Sequence, residues 1–313
     1  MTQRQVMTAG GRPRPRWAAS LMGIGAGVAW SFGALLVRLA KQSDTWQYLL
    51  WRSVAIIVVM EARRLLLRSR RPTRGAFALA YTSGSLMIAA HVGLLVASLA
   101  YVYAVKTTTA ANAAFLASIT PLVTIGLARL VLGERLTRAV GVAVVVALAG
   151  LLLMVHADVG VGTMIGNLSA LASSVGFAGY TVCLRSAPER DWSPVLTGYG
   201  SMMVVLCAAV TVAHGRSLVP PAHDIALAVF HGAVLIIAGT LLFNAATRSV
   251  PAVAMTVFAQ SETVFAPFWV FLVLSERPKA DALAGAALIL AAVLGTGVAS
   301  ARRVDRRRPA LSA

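Results

Sequence analysis

Ten apolar runs, each about as long as a helix must be to cross a bilayer, fill this chain and leave only short polar or basic connections between them. They fall at about 18–38, 46–62, 77–100, 110–132, 139–156, 162–184, 194–213, 224–246, 251–274 and 281–300. A membrane-crossing helix takes ~20 largely apolar residues, because in hydrocarbon each backbone N–H and C=O must find its partner within the protein. The chain is 58% hydrophobic and 12% charged, against about 45–50% and about 25% in a soluble domain. One water-soluble core cannot hide that much apolar surface. The expected fold class is all-α, a polytopic integral membrane protein of ten transmembrane helices. The second run is short and carries Arg52, and the third stays apolar to residue 105, long enough to tilt.

Charge gives the direction. Lys and Arg number 28 against 11 Asp and Glu, a formal +17. The basic residues sit between apolar runs and form no aromatic-interleaved basic face, so nucleic acid is not the expected partner. Membrane lipid is. Cytoplasmic connections are enriched in Lys and Arg. With the N-terminus inside, the inner segments collect twenty basic residues and the outer ones five. Both termini are expected in the cytoplasm. Only Lys41, Lys106 and Lys279 are lysines, and Ala is abundant; this composition suggests a GC-rich bacterial genome and hence a bacterial cytoplasmic membrane. The basic start resembles a signal-peptide n-region, but the apolar run after it is too long for an h-region and lacks a small-residue cleavage site. It reads as a retained first span. Cys183 and Cys207, both in apolar runs, read as packing residues.

The chain also repeats itself. "LVLGER" at 130–135 returns as "LVLSER" at 272–277, an offset of 142 residues. Carried back over 104–135 and 246–277, that offset matches 8 of 32 positions, and each Glu-Arg ends the fourth run of a five-run half. Five is odd, so the halves enter the membrane from opposite sides. Inverted repeats of this kind typically build a midplane site that is exposed alternately to either face. The expected organisation is a basic tail (1–16), a first repeat (17–157), a second repeat (158–301) and a basic tail (302–313). The Glu-Arg turns themselves read as helix-end and topology features.

The halves resemble two copies of the EamA domain of the drug/metabolite transporter superfamily. The resemblance is carried by "TTTAANAAFLASITPLVTIGLARLVLGERLT", by "FAQSETVFAPFWVFLVLSERP" and by the early Arg of "WRSVAIIVVM". It implies ten helices in two inverted five-helix repeats, with a central cavity lined mainly by helices 1, 3, 4, 6, 8 and 9. It also implies movement of small metabolites such as amino acids, sugars and vitamins, often outward, by proton coupling or exchange. The sequence departs from the family pattern at Thr263, where Pro often follows the Glu, and at Ser275, where Gly is usual.

Glu262 is the leading site candidate. It lies mid-way along the ninth run, where a charged carboxylate costs ~2.5–3.5 kcal/mol on insertion scales, so its protonation is a candidate event in substrate passage. The alternative is a neutral Glu clasping a neighbouring helix. Pro121 and Pro267 are expected to kink the fourth and ninth helices by removing a helical donor. Arg52 either pairs with an intramembrane acid or attracts an anionic substrate, or else it snorkels toward the outer headgroups or bonds a helix-end carbonyl structurally. Small residues recur at helical spacing at Gly162, Gly166, Ser169, Ser173 and Gly176 and at Gly23 and Gly27, the spacing of close helix packing. Trp30, Ser31, His91, Asn112, Tyr180, Asn244, Gln260 and Trp269 fall in the helices that the resemblance places around the cavity, with His91 the second titrating candidate.

No phosphate-binding loop or metal-ligand spacing occurs in the sequence, so no cofactor or metal is expected. The functional reading is a secondary transporter of a small-molecule substrate, with export of amino acids or related compounds as the candidate activity, and not an enzyme. The alternative is a membrane-embedded enzyme acting on a lipid or isoprenoid, which would need several acidic or His residues clustered at one membrane face.

Overall fold

The computed structural model describes residues 16–68, 75–107, 113, 116–155, 163–274 and 280–305. Asn112, Gly162, the second Glu-Arg pair and most of both expected tails lie outside the described residues. Among the described residues all regular structure is helical: α1 (Arg16–Leu39), α2 (Thr45–Arg68), α3 (Ala76–Thr82), α4 (Ser85–Thr107), α5 (Thr120–Leu132), α6 (Arg138–Val155), α7 (Met164–Ser186), α8 (Pro194–Ala213), α9 (Ala222–Phe230), a π-helical turn (His231–Ile236), α10 (Ile237–Thr247), α11 (Ala252–Ala259), α12 (Ser261–Leu274) and α13 (Ala280–Asp305).

Among the described residues six helical stretches are long and apolar enough to cross a membrane: Trp17–Leu39, Ser85–Thr107, Met164–Ser186, Pro194–Ala213, Ala222–Thr247 and Ala252–Val273. Three shorter apolar helices accompany them. Four of the expected spans are not single regular helices, the fourth being interrupted at Ser118–Ile119. The third is divided at Ser83–Gly84, where Gly84 takes φ of 90°, a conformation that ends a helix and that glycine adopts without a Cβ penalty. The eighth passes through the π-helical turn, and the ninth is divided at Gln260.

The packing repeats as the sequence does. α4 lies on α7 as α10 lies on α1; α5 lies on α7 as α11 and α12 lie on α1; α4 lies on α8 as α9 lies on α2. The remaining large contacts, α2 on α8, α6 on α13 and α5 on α11, join equivalent elements of the two halves. Exchanging the halves therefore reproduces the contact pattern, which is what a pseudo-two-fold axis requires.

Small residues make the close contacts possible. A Cβ on Gly176 would stand 2.7 Å from the Gly93 carbonyl oxygen and 2.6 Å from the Ala97 nitrogen. Beside it Ser173 donates to the Ala97 carbonyl at 2.8 Å. The small-residue stripe of α7 is thus a packing seam against α4. In α1, Gly27 leaves room for the broken ninth run: a Cβ there would lie 3.0 Å from both the Ala259 carbonyl oxygen and the Glu262 nitrogen. Of the cysteines, Cys207 is buried and Cys183 half-buried, in keeping with packing.

The two ends of the bundle differ. One gathers Arg64, Glu134, Arg185, Arg190, Asp191 and Arg248, with Arg185 paired to Glu134 at 2.9 Å and Arg64 to Asp191 at 3.1 Å. Burial pushes the Asp191 carboxyl up, but hydrogen bonds from Ser193 and the Arg64 guanidinium outweigh it and hold the group below its ordinary value. The other end pairs Arg216 with Asp44 at 2.8 Å. There the Asp224 carboxylate accepts from the Gln42 and Ser43 backbone, and Lys106 donates to the Ser43 carbonyl at 3.1 Å. α5 finishes where α11 begins, since the Ala252 N–H donates to Glu134 at 3.2 Å. Fourth helices of the two halves therefore run in opposite senses.

Candidate functional site

The interruption of the ninth run at Gln260 organises the site. Around it the helix tightens to i→i+3 bonds, with the Gln260 N–H on the Val257 carbonyl at 3.1 Å and the Thr263 N–H on the Gln260 carbonyl at 3.0 Å. The fourth run tightens in the same way. The Ile119 N–H donates to the Leu116 carbonyl at 3.3 Å and the Leu122 N–H to that of Ile119 at 2.8 Å. By the 142-residue offset, Gln260 corresponds to Ser118 and Glu262 to Thr120. The Gln260 amide donates to the Ser118 carbonyl at 3.2 Å. Two repeat-equivalent residues are bonded to each other, so the pseudo-two-fold axis passes between them.

The two prolines act differently. Pro121 occupies the first turn of α5, where its missing N–H is one that no helix would satisfy; the fourth run is broken just before it, and the Ala117 carbonyl that it leaves without a helical donor accepts from Ser174 at 2.8 Å. Pro267 lies inside α12, and the ninth run is broken earlier, at Gln260. Thr263 stands at the place equivalent to Pro121. It retains its N–H, and its hydroxyl lies 3.3 Å from the Gln260 side-chain oxygen. The second break thus forms without a proline.

Glu262 occupies the first turn of α12, half-buried, beside the axis. A carboxylate there faces the positive end of the helix dipole. Tyr101 of α4 is within electrostatic reach of it. On its other side α1 presents Gly27 and the Ile24 carbonyl, which accepts from Ser261 at 3.0 Å. Farther along α12, the Trp269 indole donates to the Ser31 hydroxyl at 2.8 Å and stacks on Phe32 with ring centres 4.2 Å apart. Ser31 in turn donates to the Val28 carbonyl at 2.6 Å. Trp30 points the other way, edge-on to Phe177 at 5.6 Å and against Phe243 at 5.4 Å.

Tyr180 and Asn244 are buried, and the Tyr180 hydroxyl donates to the Asn244 carbonyl oxygen. Asn244 reaches the Trp192 carbonyl at 3.5 Å. The pair clasps α7 to α10 behind the Trp30 aromatic cluster. His91 is fully buried and faces α8, where a Cβ on Gly198 would fall on its ring, while Tyr81 lies 5.9 Å away. Among the described residues neither ring nitrogen has a hydrogen-bond partner. The structure thus gathers Glu262, Gln260, Trp269 and Ser31 where α1 meets α12, with Trp30 adjoining. It sets His91 apart.

Arg52 does not snorkel. It is 2% exposed, with its guanidinium donating to the Ser98 hydroxyl of α4. Its backbone abuts Gly232 in the π-helical turn, beside Tyr48, whose hydroxyl bonds His231 Nδ1 at 2.9 Å. Sequence reasoning passed over Tyr48, Tyr101 and His231. A His inside an apolar run was visible as a signal, whereas Tyr in such runs is ordinary.

A family model described as the EamA-like transporter family matches residues 17–156 and again 164–298. The chain belongs to the EamA-like transporter family. The two matches divide this EamA-like protein where the packing divides it, between α6 and α7. No protein of curated function matches it in sequence. Twenty-nine chains of solved structures match its fold. One, a crystal structure of a protein, superimposes with a TM-score of 0.72 at 20% identity, covering 92% of this chain and 98% of its own.

Proposed function

We propose that this EamA-like protein is a secondary transporter that carries a small metabolite across a bacterial cytoplasmic membrane by alternating access, with Glu262 as the group that couples a proton or the substrate to movement. The observation that carries the reading is the bond between Gln260 and Ser118. It joins equivalent points of two oppositely running repeats and leaves the one deeply intramembrane carboxyl of the sequence next to the axis. A site on such an axis is the place where one half can rock against the other. In this reading the ten runs are ten transmembrane helices and the Arg-rich end is cytoplasmic, as the excess of Arg in its connections favours. Both termini are then cytoplasmic. Amino acids and related compounds, moved outward by proton coupling or exchange, are the substrates to try first.

Reconstitution into liposomes, with labelled metabolites offered under an imposed pH gradient, tests the proposal. Uptake of at least one solute class is the expected result. Failure of every solute under both gradient directions would overturn it.

A further inference from the structure

One feature at the Arg-rich end is richer than a helix terminus needs. α5 ends at Gly133, whose φ of 62° turns the chain back so that the Glu134 N–H returns to the Ala128 carbonyl at 3.2 Å. The turn sends the Glu134 side chain across to the other half. One carboxylate oxygen accepts from Arg185 Nε, at the end of α7, at 2.9 Å. The other accepts from the Ala252 N–H, at the start of α11, at 3.2 Å. Arg185 in turn donates through Nη1 to the Arg248 carbonyl at 3.2 Å and to the Thr247 carbonyl at 3.5 Å, closing on the end of α10.

We infer that Glu134 and Arg185 form a latch that holds the Arg-rich end of the transport pathway shut. Four elements, α5, α7, α10 and α11, meet at this one pair, and among the described residues no other ion pair between the halves joins so many. Both side chains are about three-quarters buried, at 22% and 26% exposure. A charge-assisted pair removed that far from water contributes more than an exposed one. The acceptor and donor sets are complementary: carboxylate onto a helix N-terminus, guanidinium onto a helix C-terminus. Every bond crosses from the first repeat to the second or ties together pieces of the second. Rocking the halves apart at this end must therefore break both bonds of Glu134 together, while Arg185 keeps its bonds within the second repeat. The inference rests on the transport reading, and it assigns to the "LVLGER" motif a gating part that its place at a surface did not suggest.

The test reads opening without any substrate. In a Cys183→Ser, Cys207→Ser background, Ala246→Cys places a single thiol at a site that is fully buried in the last turn of α10, just beneath the latch. Alkylation by a water-soluble maleimide, added from the Arg-rich side of oriented vesicles, reports how often that end opens. Glu134→Gln and Arg185→Gln are each expected to raise the alkylation rate about tenfold, the shift that follows from losing roughly 1.4 kcal/mol of closed-state preference. The double variant should add little to either single one. Arg64→Gln, which removes a single bond to the half-exposed Asp191 carboxylate at the same end, should leave the rate unchanged. Equal rates in wild type and both latch variants would overturn the latch, as would an equal rise in Arg64→Gln. Monodispersity by size exclusion separates opening from unfolding, and the charge-keeping Arg185→Lys should fall between wild type and Arg185→Gln. If the thiol responds as expected while no solute moves in liposomes, the latch stands and the transport reading falls.

Discussion

The two helix breaks, at Ser118–Ile119 and at Gln260, share a backbone and differ in chemistry. Both tighten the helix by one turn, both lie on the axis, and they hydrogen-bond to each other. The first carries Thr120 and Pro121, and its freed carbonyls at Leu116 and Ala117 accept from Ser174 of α7 at 2.9 and 2.8 Å. The second carries Glu262 and Thr263, and there Ser261 is itself the donor, to the Ile24 carbonyl of α1. One break is closed off by its neighbour; the other holds an ionisable group. Duplication supplied the geometry twice, and the charge was placed in one copy only. The proposed asymmetry of function follows from that difference.

The largest effect should come from removing the charge. Glu262→Gln is expected to lower solute flux by at least about tenfold, within the usual range of coupling between linked sites, while Thr120→Val at the equivalent place leaves flux within about twofold. Vesicle uptake assays measure both.

Next comes the space that seats the second break. Gly27→Val would press on Ser261 and on the Ala259 and Glu262 backbone, and overpacking of this sort typically costs ~1–3 kcal/mol. Thermal unfolding in detergent should show a clear loss of stability together with a loss of transport. Unchanged stability would mean that α1 does not position the break.

The axis bond itself should matter less. Gln260→Leu leaves the Ser118 carbonyl without this donor, at a cost of about 1–2 kcal/mol, and Ser174→Ala should cost a similar amount through the first break. If only one of the two destabilises, the breaks are not equivalent mechanically.

The smallest effect belongs to the periphery. Asp191 is more than half exposed, although its partner Arg64 is largely covered, so Asp191→Asn should change stability by less than ~1 kcal/mol. Its carboxyl is held below the ordinary value in the folded protein, so its contribution is present above pH ~4 and is lost only as pH falls below that. Between pH 5 and 8 unfolding measurements should therefore show a small, pH-independent difference between variant and wild type, which closes only as the pH falls below ~4.

The sequence made the spans, the duplication and Glu262 legible because each is written in a period or in a rare residue type. A charge inside an apolar run stands out without any knowledge of its neighbours. The second break was not legible in the same way. Pro121 does mark the first, but Pro267 lies within a helix, while the ninth run parts at Gln260, a residue with no breaking propensity. Tertiary bonds to the opposite repeat hold that turn. Arg52 was readable as pairing with an acid or substrate, as snorkelling or as bonding structurally, and only its burial and the Ser98 hydroxyl, far along the chain, show that it does not snorkel. Glu134 looked like a surface helix end because its partners, Arg185 and Ala252, belong to the other half. Contacts between repeats are what a linear reading lacks.

The most direct measurement is flux of a single transported solute in wild type, Glu262→Gln and Thr120→Val, reconstituted side by side, with and without an imposed pH gradient. The account predicts that wild type and Thr120→Val respond alike to the gradient and that Glu262→Gln is slow and indifferent to it. Wild-type rate and gradient response in Glu262→Gln would contradict it.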